Sequence, residues 1–408
     1  MDNFIVYKDF YEREKLIPSH LFRSDIPHKF NELSAIKKYW LRVLADSQGI
    51  IVPPYEVLIH PSSVCNLRCD WCIGEYVPIE RKGVIPIVTA SKFSEKILPN
   101  RLSDPGSMMK VITDIVNYSA VKDVAYLDGL RQEQFKIDSV SFSGLIGEPL
   151  SSKGAVLAAM RKLVASGVRT GIFTNGTLID EDCIDVFMNI DYVLISVDAA
   201  SPSTYAGLKY GARQSGQHMF RKVLENIERL VIKKTKTNSE VAINCSFVVN
   251  PGNYRELYDA GAMLKRLGAN CLRIKQENSG VLKLTETQAE EVRHQVARLK
   301  EDVADDAFEV VSIHRFFTID ETVRKFSKCG ITNLVAAIGS DGNLYPCNYH
   351  PRPGGAVMGS VIDESFEEVW EGERRMLLRK SIPNICPATC DPFKNRANSL
   401  LQSIFENL

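Results

Sequence analysis

The chain has 408 residues, of which 45% are hydrophobic and 25% are charged, and its formal net charge is zero. This composition is typical of a globular protein with a large core, built as one large domain or two, and zero net charge gives no bulk attraction to nucleic acid or anionic membranes. No apolar run is long enough for a membrane span, and the first residues lack the basic and apolar regions of a secretory signal, so we expect a cytoplasmic protein.

The chain begins with a segment that precedes any metal-binding motif. Apolar residues recur at helical spacing at Leu33, Ile36, Trp40, Val43 and Leu44, which predicts an amphipathic helix over about 29–46. We assign residues 1–52 to an N-terminal helical extension. The sequence YEVLIH at 55–60 then predicts the first strand.

Three cysteines follow this strand at close range. Cys65, Cys69 and Cys72 have the spacing C-x3-C-x2-C. Soft thiolates so close together favour zinc or an iron–sulfur cluster. Both kinds of site normally use four protein ligands, so a [4Fe–4S] cluster held by only these three would keep one iron open to another ligand.

Strands and helices alternate through the next part of the chain. A long connection over 76–136 comes first, with a helix beginning near 104–105 and a polar stretch over 128–134. Beyond it, strands are predicted at 137–143, 168–174, 192–198, 241–249 and 271–276, and helices at 154–166, 180–189, 217–233 and 254–267. This alternation predicts an α/β fold, a partial (β/α)6 barrel over 53–280, with active-site groups at the C-terminal ends of its strands.

The pattern changes after residue 280. We predict a linker helix over 285–305, a hairpin over 336–345 with its turn at 340–343, and a helix over 366–380. Residues 281–408 are therefore assigned to a second, smaller domain, which is rich in cysteine: Cys329, Cys347, Cys386 and Cys390. The remaining cysteines stand in apolar surroundings and are predicted to be core residues: Cys183, Cys245 and Cys271.

The first cysteine motif, with the aromatic residue Trp71 just before its third cysteine, resembles the signature of the radical S-adenosylmethionine (SAM) superfamily. The resemblance implies that Cys65, Cys69 and Cys72 hold a [4Fe–4S] cluster whose open iron binds the amino and carboxylate groups of SAM. It also implies that an electron from this cluster cleaves SAM to methionine and a 5′-deoxyadenosyl radical, which abstracts a hydrogen from the substrate. An external donor such as flavodoxin or ferredoxin would supply the electron.

Segments at the predicted strand ends extend the resemblance. Gly147-Glu148-Pro149 is similar to the family's G-G-E-P segment, with Ile146 where the first glycine is usual, and residues 174–176 match its T-N-G segment. The basic partner of the SAM carboxylate would be one of two residues, Lys209 or Arg213. The SAM-binding residues implied in this way are Trp71, Ser143, Gly147, Glu148, Asn175, Ser196, Asp198, Lys209 and Arg213.

The cysteines of the second domain resemble the SPASM/twitch extension found in one branch of that superfamily. The hairpin before Cys347 and the later segment Gly359-Ser360-Val361 fit the same resemblance. Four cysteines rather than seven imply the short twitch form, which holds one auxiliary [4Fe–4S] cluster, so the chain would carry two clusters. A structural zinc site is the alternative for these four thiols.

The substrate is less well defined by the sequence. Polar residues of the last two predicted barrel strands are expected to contact it: Asn244, Arg273, Lys275, Gln276 and Glu277. Arg273, Lys275 and Glu277 are the candidate catalytic residues. We expect a small polar metabolite of sugar, aminocyclitol or nucleoside type, because no appended peptide-recognition domain is evident. The alternatives are a peptide- or protein-modifying maturase and, in another class, a zinc-dependent binding protein.

Overall fold

The structure is a computed structural model that describes residues 39–72, 98–126, 129–144, 147–210, 214–277, 282–312, 316, 324, 326–351, 354–386 and 390–407. Two sequence predictions fall outside these residues: the first part of the N-terminal helix, over 29–38, and the SAM contact at Arg213.

Twelve strands are present in the described residues. They are β1 (Glu56–Ile59), β2 (Ser119–Tyr126), β3 (Gly129–Lys136), β4 (Ser139–Phe142), β5 (Arg169–Thr174), β6 (Tyr192–Ser196), β7 (Ala242–Val249), β8 (Cys271–Gln276), β9 (Glu309–Ser312), β10 (Val335–Ile338), β11 (Asn343–Tyr345) and β12 (Gly359–Ser360). Ten of them form one sheet in the order β12-β11-β10-β1-β4-β5-β6-β7-β8-β9, in which every pair from β10 to β9 is parallel.

The helices of the described residues lie between these strands and beyond them. They are α1 (Trp40–Ser47), α2 (Pro105–Asn117), α3 (Lys153–Ala165), α4 (Glu181–Phe187), α5 (Pro202–Tyr210), α6 (Gln214–Thr237), α7 (Leu257–Arg266), α8 (Glu286–Arg298), α9 (Phe366–Glu371), α10 (Glu373–Ser381) and α11 (Pro392–Asn407). The parallel sheet with intervening helices confirms the predicted partial barrel.

Alternation along each strand separates an apolar outer face from a polar inner one. In β7, Ile243, Cys245 and Phe247 pack into the main core with the helices, whereas Asn244 and Ser246 lie on the opposite face. The three cysteines predicted to be core residues are all buried. The barrel interior is therefore lined by groups that can bind a polar ligand.

Tyr192 fills the N-terminal end of the barrel. Its ring occupies the space where a side chain on β5 would stand, since a Cβ atom added at Gly171 would lie 2.2 Å from Tyr192 Cζ. The hydroxyls of Tyr192 and Ser141 are 2.7 Å apart, and Ser141 donates to Glu56 at 2.5 Å. Since this end is filled, a ligand has to enter at the other end, where the strands end and the cysteine loop begins.

Three parts of the structure differ from the sequence predictions. The connection over 76–136 contains an antiparallel hairpin, β2–β3, where we expected a polar stretch. The single helix expected over 366–380 is two helices, because Gly372 adopts an extended ψ of 152° between them. The sheet also continues past residue 280, since β9 pairs with β8, and β10 of the cysteine-rich region pairs directly with β1. The predicted domain boundary remains a prediction.

No helix in the described part of the chain is both long enough and apolar enough to cross a membrane.

Candidate metal centres and SAM site

The loop that carries Cys65, Cys69 and Cys72 is bound on one side by the end of α5. Arg68 N donates to Lys209 O at 3.0 Å, and Asp70 N donates to Leu208 O at 3.1 Å. These carbonyls are available because the last turn of a helix has no partner for them within the helix. The end of α5 therefore fixes the backbone between Cys65 and Cys72.

The other side of the cysteine loop is bound by the segment after β5. Asn175 donates through Nδ2 to Asn66 Oδ1 at 2.9 Å, and Asn66 donates to Thr177 Oγ1 at 2.8 Å. Asn175 Nδ2 also lies 4.0 Å from Cys65 Sγ. The predicted SAM-binding residue Asn175 thus orients the loop and lies directly beside one of its thiols.

The segment after β4 approaches the same loop through a glycine. A Cβ atom added at Gly147 would lie 2.0 Å from Ser62 O, so only glycine permits this approach. The next residue, Glu148, donates its backbone N–H to Val64 O at 2.8 Å. Gly147 therefore brings the Glu148 backbone against the residue that precedes Cys65.

The Glu148 carboxylate is buried, with 3% of the residue exposed. It accepts hydrogen bonds from Thr174 Oγ1 at 2.5 Å, from Asn175 N at 2.8 Å and from Leu150 N at 3.2 Å. Burial raises the pKa of Glu148, which these donors oppose. The carboxylate thus joins the turns after β4 and β5. Its predicted contact with the SAM ammonium stays a prediction, as do the contacts at Ser143 and Gly147.

Asp198 and Lys209, predicted separately as SAM contacts, form an ion pair with each other. Lys209 Nζ lies 2.8 Å from Asp198 Oδ2, and both side chains are at most 3% exposed. Lys209 also donates to Ser196 O at 2.7 Å, and Asp198 accepts from Val248 N at 2.6 Å. Burial is the largest single effect and lowers the pKa of Lys209, but the attraction of Asp198, together with that of Tyr205 and Cys69, raises this pKa above its usual value. This pair therefore joins the ends of β6 and β7 to α5.

Trp71 lies in a small apolar cluster with Leu208 and Val248, against which Cys69 packs. It is 8% exposed, so most of its surface already has protein partners. Trp71 therefore packs the cysteine loop against α5 and β7. Its contact with the adenine of SAM stays a prediction.

The candidate catalytic residues share one face of the strand β8 and its end. Arg273, Lys275 and Glu277 alternate with the buried residues Leu272 and Ile274, which pack on the outer core. Burial lowers the pKa of Arg273 to about 10 and that of Lys275 to about 8. The barrel interior therefore holds two cationic side chains in a partly desolvated position.

The other polar residues predicted to contact the substrate are divided between the two faces of the sheet. Asn244 is 3% exposed and lies on the inner face. Gln276 pairs with Val249, which packs on the outer core, so Gln276 lies on the face opposite to Lys275. Glu277 is buried, and Leu282 N donates to its carboxylate at 3.2 Å. Of this group, Gln276 is the residue that the strand geometry separates from the barrel interior.

The second set of thiols lies around the hairpin β10–β11. Cys329 Sγ accepts from Asn398 Nδ2 at 3.3 Å, and Cys347 Sγ accepts from Tyr349 N at 3.5 Å. The thiol of Cys390 lies close enough to Cys347 and Cys329 for their charges to raise its pKa, after the larger effect of burial. Cys386 precedes Cys390 by four residues, and its N–H donates to Pro383 O at 3.0 Å.

Both sets of thiols suit an iron–sulfur cluster. Three or four thiolates at short spacing are the ligands that such clusters use. N–H groups donate to cysteine sulfur in both regions, including Leu67 N to Cys65 Sγ at 3.4 Å, and such bonds tune the potential of a cluster. Burial raises the pKa of the Cys69 thiol well above its usual value, so loading of iron would displace a proton there.

A partial parallel barrel with three thiols after its first strand, followed by a second cysteine-rich region, is the arrangement expected of a barrel enzyme that holds iron–sulfur clusters. The profile of the radical SAM superfamily matches residues 59–260, and the profile of an iron–sulfur cluster-binding domain, SPASM, matches residues 329–391. The chain belongs to the radical SAM superfamily and carries a C-terminal SPASM domain. It is therefore a SAM- and [4Fe–4S]-dependent enzyme with an auxiliary iron–sulfur region, and the zinc-binding alternative is not supported.

Solved structures with the same fold include SuiB from Streptococcus suis. SuiB alone is 13% identical, with a TM-score of 0.54 over 84% of this chain and 69% of SuiB. SuiB bound to S-adenosylmethionine is 14% identical, with a TM-score of 0.52 over 84% of this chain and 67% of SuiB. SuiB bound to the precursor peptide SuiA is 14% identical, with a TM-score of 0.54 over 89% of this chain and 73% of SuiB. A comparison with curated protein sequences gave no significant match.

Sequence analysis missed the residues that support the cysteine loop. The helix α5 was not predicted, although Ser201 followed by Pro202 is a common signal for a helix start. The carbonyls of Leu208 and Lys209 bind the loop, yet a backbone contact of this kind leaves no signal in the residue type. Thr174 bonds Glu148 and lies in the predicted T-N-G segment, so its position could have been inferred.

Proposed function

We propose that this enzyme abstracts a hydrogen atom from a peptide substrate held inside the barrel. The observation that carries the proposal is the likeness of the fold to SuiB, which is bound to a precursor peptide in one of its structures. The sequence alone favoured a small polar metabolite, with peptide modification as the alternative. The similarity over 89% of the chain favours that alternative.

The proposed roles of the chain's residues follow from their positions. Cys65, Cys69 and Cys72 would hold the cluster that, with SAM, supplies a 5′-deoxyadenosyl radical. Glu148 would accept a hydrogen bond from the SAM ammonium, since its turn contacts the cysteine loop directly. The Asp198–Lys209 pair would act by fixing α5 and the loop, rather than by contact with SAM alone.

Arg273 and Lys275 would bind an anionic group of the substrate. They are neighbours on the inner face of β8, and the charge of Arg273 contributes to the lowered pKa of Lys275, after the larger effect of burial. Within the described residues, Lys275 has no carboxylate at ion-pair distance. An acidic side chain or the terminal carboxylate of a peptide would supply the missing negative charge.

Cys329, Cys347, Cys386 and Cys390 would bind one auxiliary [4Fe–4S] cluster. Four thiolates leave none of its irons open, so its role would be to accept or relay an electron rather than to bind the substrate. The residue after Cys390, Asp391, is close enough to Arg273 for its charge to raise the pKa of that guanidinium against the effect of burial. The auxiliary site would therefore lie near the substrate-binding face of β8.

A small polar metabolite remains the second candidate, and one observation favours it. Asn244 is buried on the inner face of β7, and the neighbouring Ser246 lies opposite Arg273 in the register. Such a polar lining suits hydroxyl-rich ligands as well as peptide groups.

Isotope transfer distinguishes the two candidates. The reconstituted enzyme would be incubated anaerobically with SAM, a reductant and deuterated short peptides encoded next to its own gene. In parallel, it would be given deuterated sugars, aminocyclitols and nucleosides. Deuterium found in 5′-deoxyadenosine with a peptide would support the proposal. Deuterium transferred from a metabolite and from none of the peptides would overturn it.

A further inference from the structure

A small cavity, with room for about one water molecule or small ion, lies between α1, the turn before β10 and α10. Three arginines line it, Arg42, Arg375 and Arg379, together with Asp46 and Asn333. None of these residues has a role in the proposed reaction. The cavity is therefore a candidate for a second binding site.

Only two of the three arginines have an anionic partner. Arg42 lies 2.8 Å from Asp138, and Arg379 lies 3.1 Å from Asp46. Arg375 is 1% exposed, and among the described residues it has no carboxylate at ion-pair distance. Burial consequently lowers the pKa of Arg375 to about 9.

The hydrogen bonds of Arg375 all go to neutral acceptors. Its guanidinium donates to Trp370 O at 3.0 Å, Thr332 O at 3.3 Å and Asn333 Oδ1 at 2.8 Å. The indole ring of Trp370 covers one face, with its centroid 3.6 Å from Arg375 Cζ. Any further acceptor therefore has to approach in the plane of the guanidinium.

Two buried donors at this cavity have no partner among the described residues, Arg375 Nε and Asn333 Nδ2. The orientation of the Asn333 amide is set by its Oδ1, which accepts from Arg375; a flipped amide would face donor to donor. Each of these two N–H groups therefore needs a hydrogen-bond acceptor. Leaving such donors buried and unbonded is costly.

We propose that this cavity binds one small inorganic anion, which accepts hydrogen bonds from Arg375 Nε and Asn333 Nδ2. A water molecule would satisfy the donors but add no negative charge beside the buried guanidinium, on which Asp46 and Glu371 act only from beyond ion-pair distance. An anion does both. The proposal is independent of the substrate and of SAM chemistry.

The anion would connect three segments around the auxiliary site. Asn333 lies in the short helical turn Ile331–Asn333, which follows Cys329, and Arg375 lies in α10. Arg42 and Asp46 belong to α1. Binding here would hold α1 and α10 against the segment that positions Cys329, so it would stabilise the folded SPASM region.

Bromide is a suitable probe, because it is a small anion and is visible by anomalous X-ray scattering. The melting temperature of the holoenzyme would be measured anaerobically in sodium bromide and in sodium gluconate at equal ionic strength. We expect a rise of about 1–2 °C for each tenfold increase in bromide above its dissociation constant. Gluconate, which is larger, should give no such rise.

The matched variants are Arg375→Met and Arg374→Met, since Arg374 is the exposed neighbour on the same helix. The bromide effect should be lost in Arg375→Met and kept in Arg374→Met. Should Arg375→Met fail to fold, crystals of the unaltered enzyme in bromide decide the question through an anomalous peak beside Arg375 Nε. Equal melting temperatures in the two salts, or a bromide crystal without that peak, would overturn the proposal.

Discussion

The Asp198–Lys209 pair shows how one buried contact supports the cysteine loop. Loss of Lys209 would leave Asp198 charged and buried without its partner, which typically costs 3–5 kcal/mol. We therefore expect Lys209→Met to lower the free energy of unfolding by about that amount, measured by anaerobic urea unfolding. A second change, Asp198→Asn, should restore part of the loss, because it removes the unpaired charge.

An exposed pair provides the control for this experiment. Lys233 lies 2.8 Å from Asp185, but their side chains are 38% and 61% exposed. Lys233→Met should therefore change the stability little. If Lys209→Met were as mild as Lys233→Met, the buried pair would have no special structural role.

The buried charge of Lys275 should lower the free energy of unfolding, while its proposed role is to bind the substrate. Its pKa is lowered from 10.5 to about 8, so between those values the unfolded chain binds more protons than the folded one and stability rises with pH. At pH 7 Lys275 is charged in both the folded and the unfolded chain, so the folded state bears the full cost of burying that charge. We expect Lys275→Met to be more stable there by about 1–2 kcal/mol, less than the full shift implies because solvent screens a partly exposed group.

The difference in the free energy of unfolding between Lys275→Met and the unaltered enzyme should shrink as pH rises from 8 towards 10.5. Urea unfolding at several pH values measures this trend. Substrate-dependent turnover of the variant should fall at the same time, as expected for a functional charge. A variant that is less stable at pH 7 would show that Lys275 is a structural residue.

At the scale of the elements, the close approach of the β4 turn to the cysteine loop depends on Gly147. A methyl group there would meet Ser62 O at 2.0 Å and separate Glu148 N from Val64 O. We expect Gly147→Ala to slow 5′-deoxyadenosine formation by about 10²-fold, since small displacements in a site have large effects on rate.

Gly154 in α3 is the matched control, because a Cβ atom there has nothing within 4 Å. Gly154→Ala should keep SAM cleavage and raise stability by about 0.5–1 kcal/mol, since alanine favours a helix. Both variants are compared by single-turnover assays and by thermal unfolding. Equal activity of the two would show that the approach at Gly147 is not needed.

Local sequence patterns predicted most of the barrel elements. The predicted strand over 271–276 matches β8, and the helix over 154–166 matches α3 within one residue. The hairpin β2–β3 was missed because its exposed faces are mixed and polar, so the alternation is weak. The pairing of β10 with β1 joins residues far apart in the chain, and no local pattern encodes such a contact.

The candidate site was predictable in its residue types but not in its contacts. The cysteines, Glu148 and Asn175 were identified from short motifs. Asp198 and Lys209 were also identified, yet their mutual ion pair depends on the helix α5, which the sequence analysis did not predict. Motifs select residues, whereas the folded chain decides which of them bind one another.

For the whole molecule, the parallel pairing of β10 with β1 places both cysteine regions on one continuous sheet. The functions of the two cysteine regions can nevertheless be tested one at a time by mutation. A variant with alanine at Cys65, Cys69 and Cys72 should form no 5′-deoxyadenosine and should keep about four irons, those of the auxiliary cluster. Iron analysis and chromatography test this, and residual SAM cleavage would contradict the assignment of the three ligands.

The complementary change is Cys347→Ala, which removes one ligand of the proposed auxiliary cluster. Cys347 follows β11, the strand that β10 joins to the barrel, so the barrel itself should stay folded. We expect the variant to lose the iron of that cluster but still to cleave SAM. It should no longer release the oxidised product, because the substrate radical would lack its electron acceptor.

Cys245→Ala is the control, since that thiol is buried in the outer core and removal of its sulfur leaves both proposed ligand sets intact. It should keep about eight irons and normal product formation. Iron content, 5′-deoxyadenosine and product are measured together in both variants. Normal oxidised product from Cys347→Ala, in protein shown to lack the auxiliary cluster, would rule out electron acceptance. The better hypothesis would then be a redox-neutral rearrangement, epimerisation or elimination.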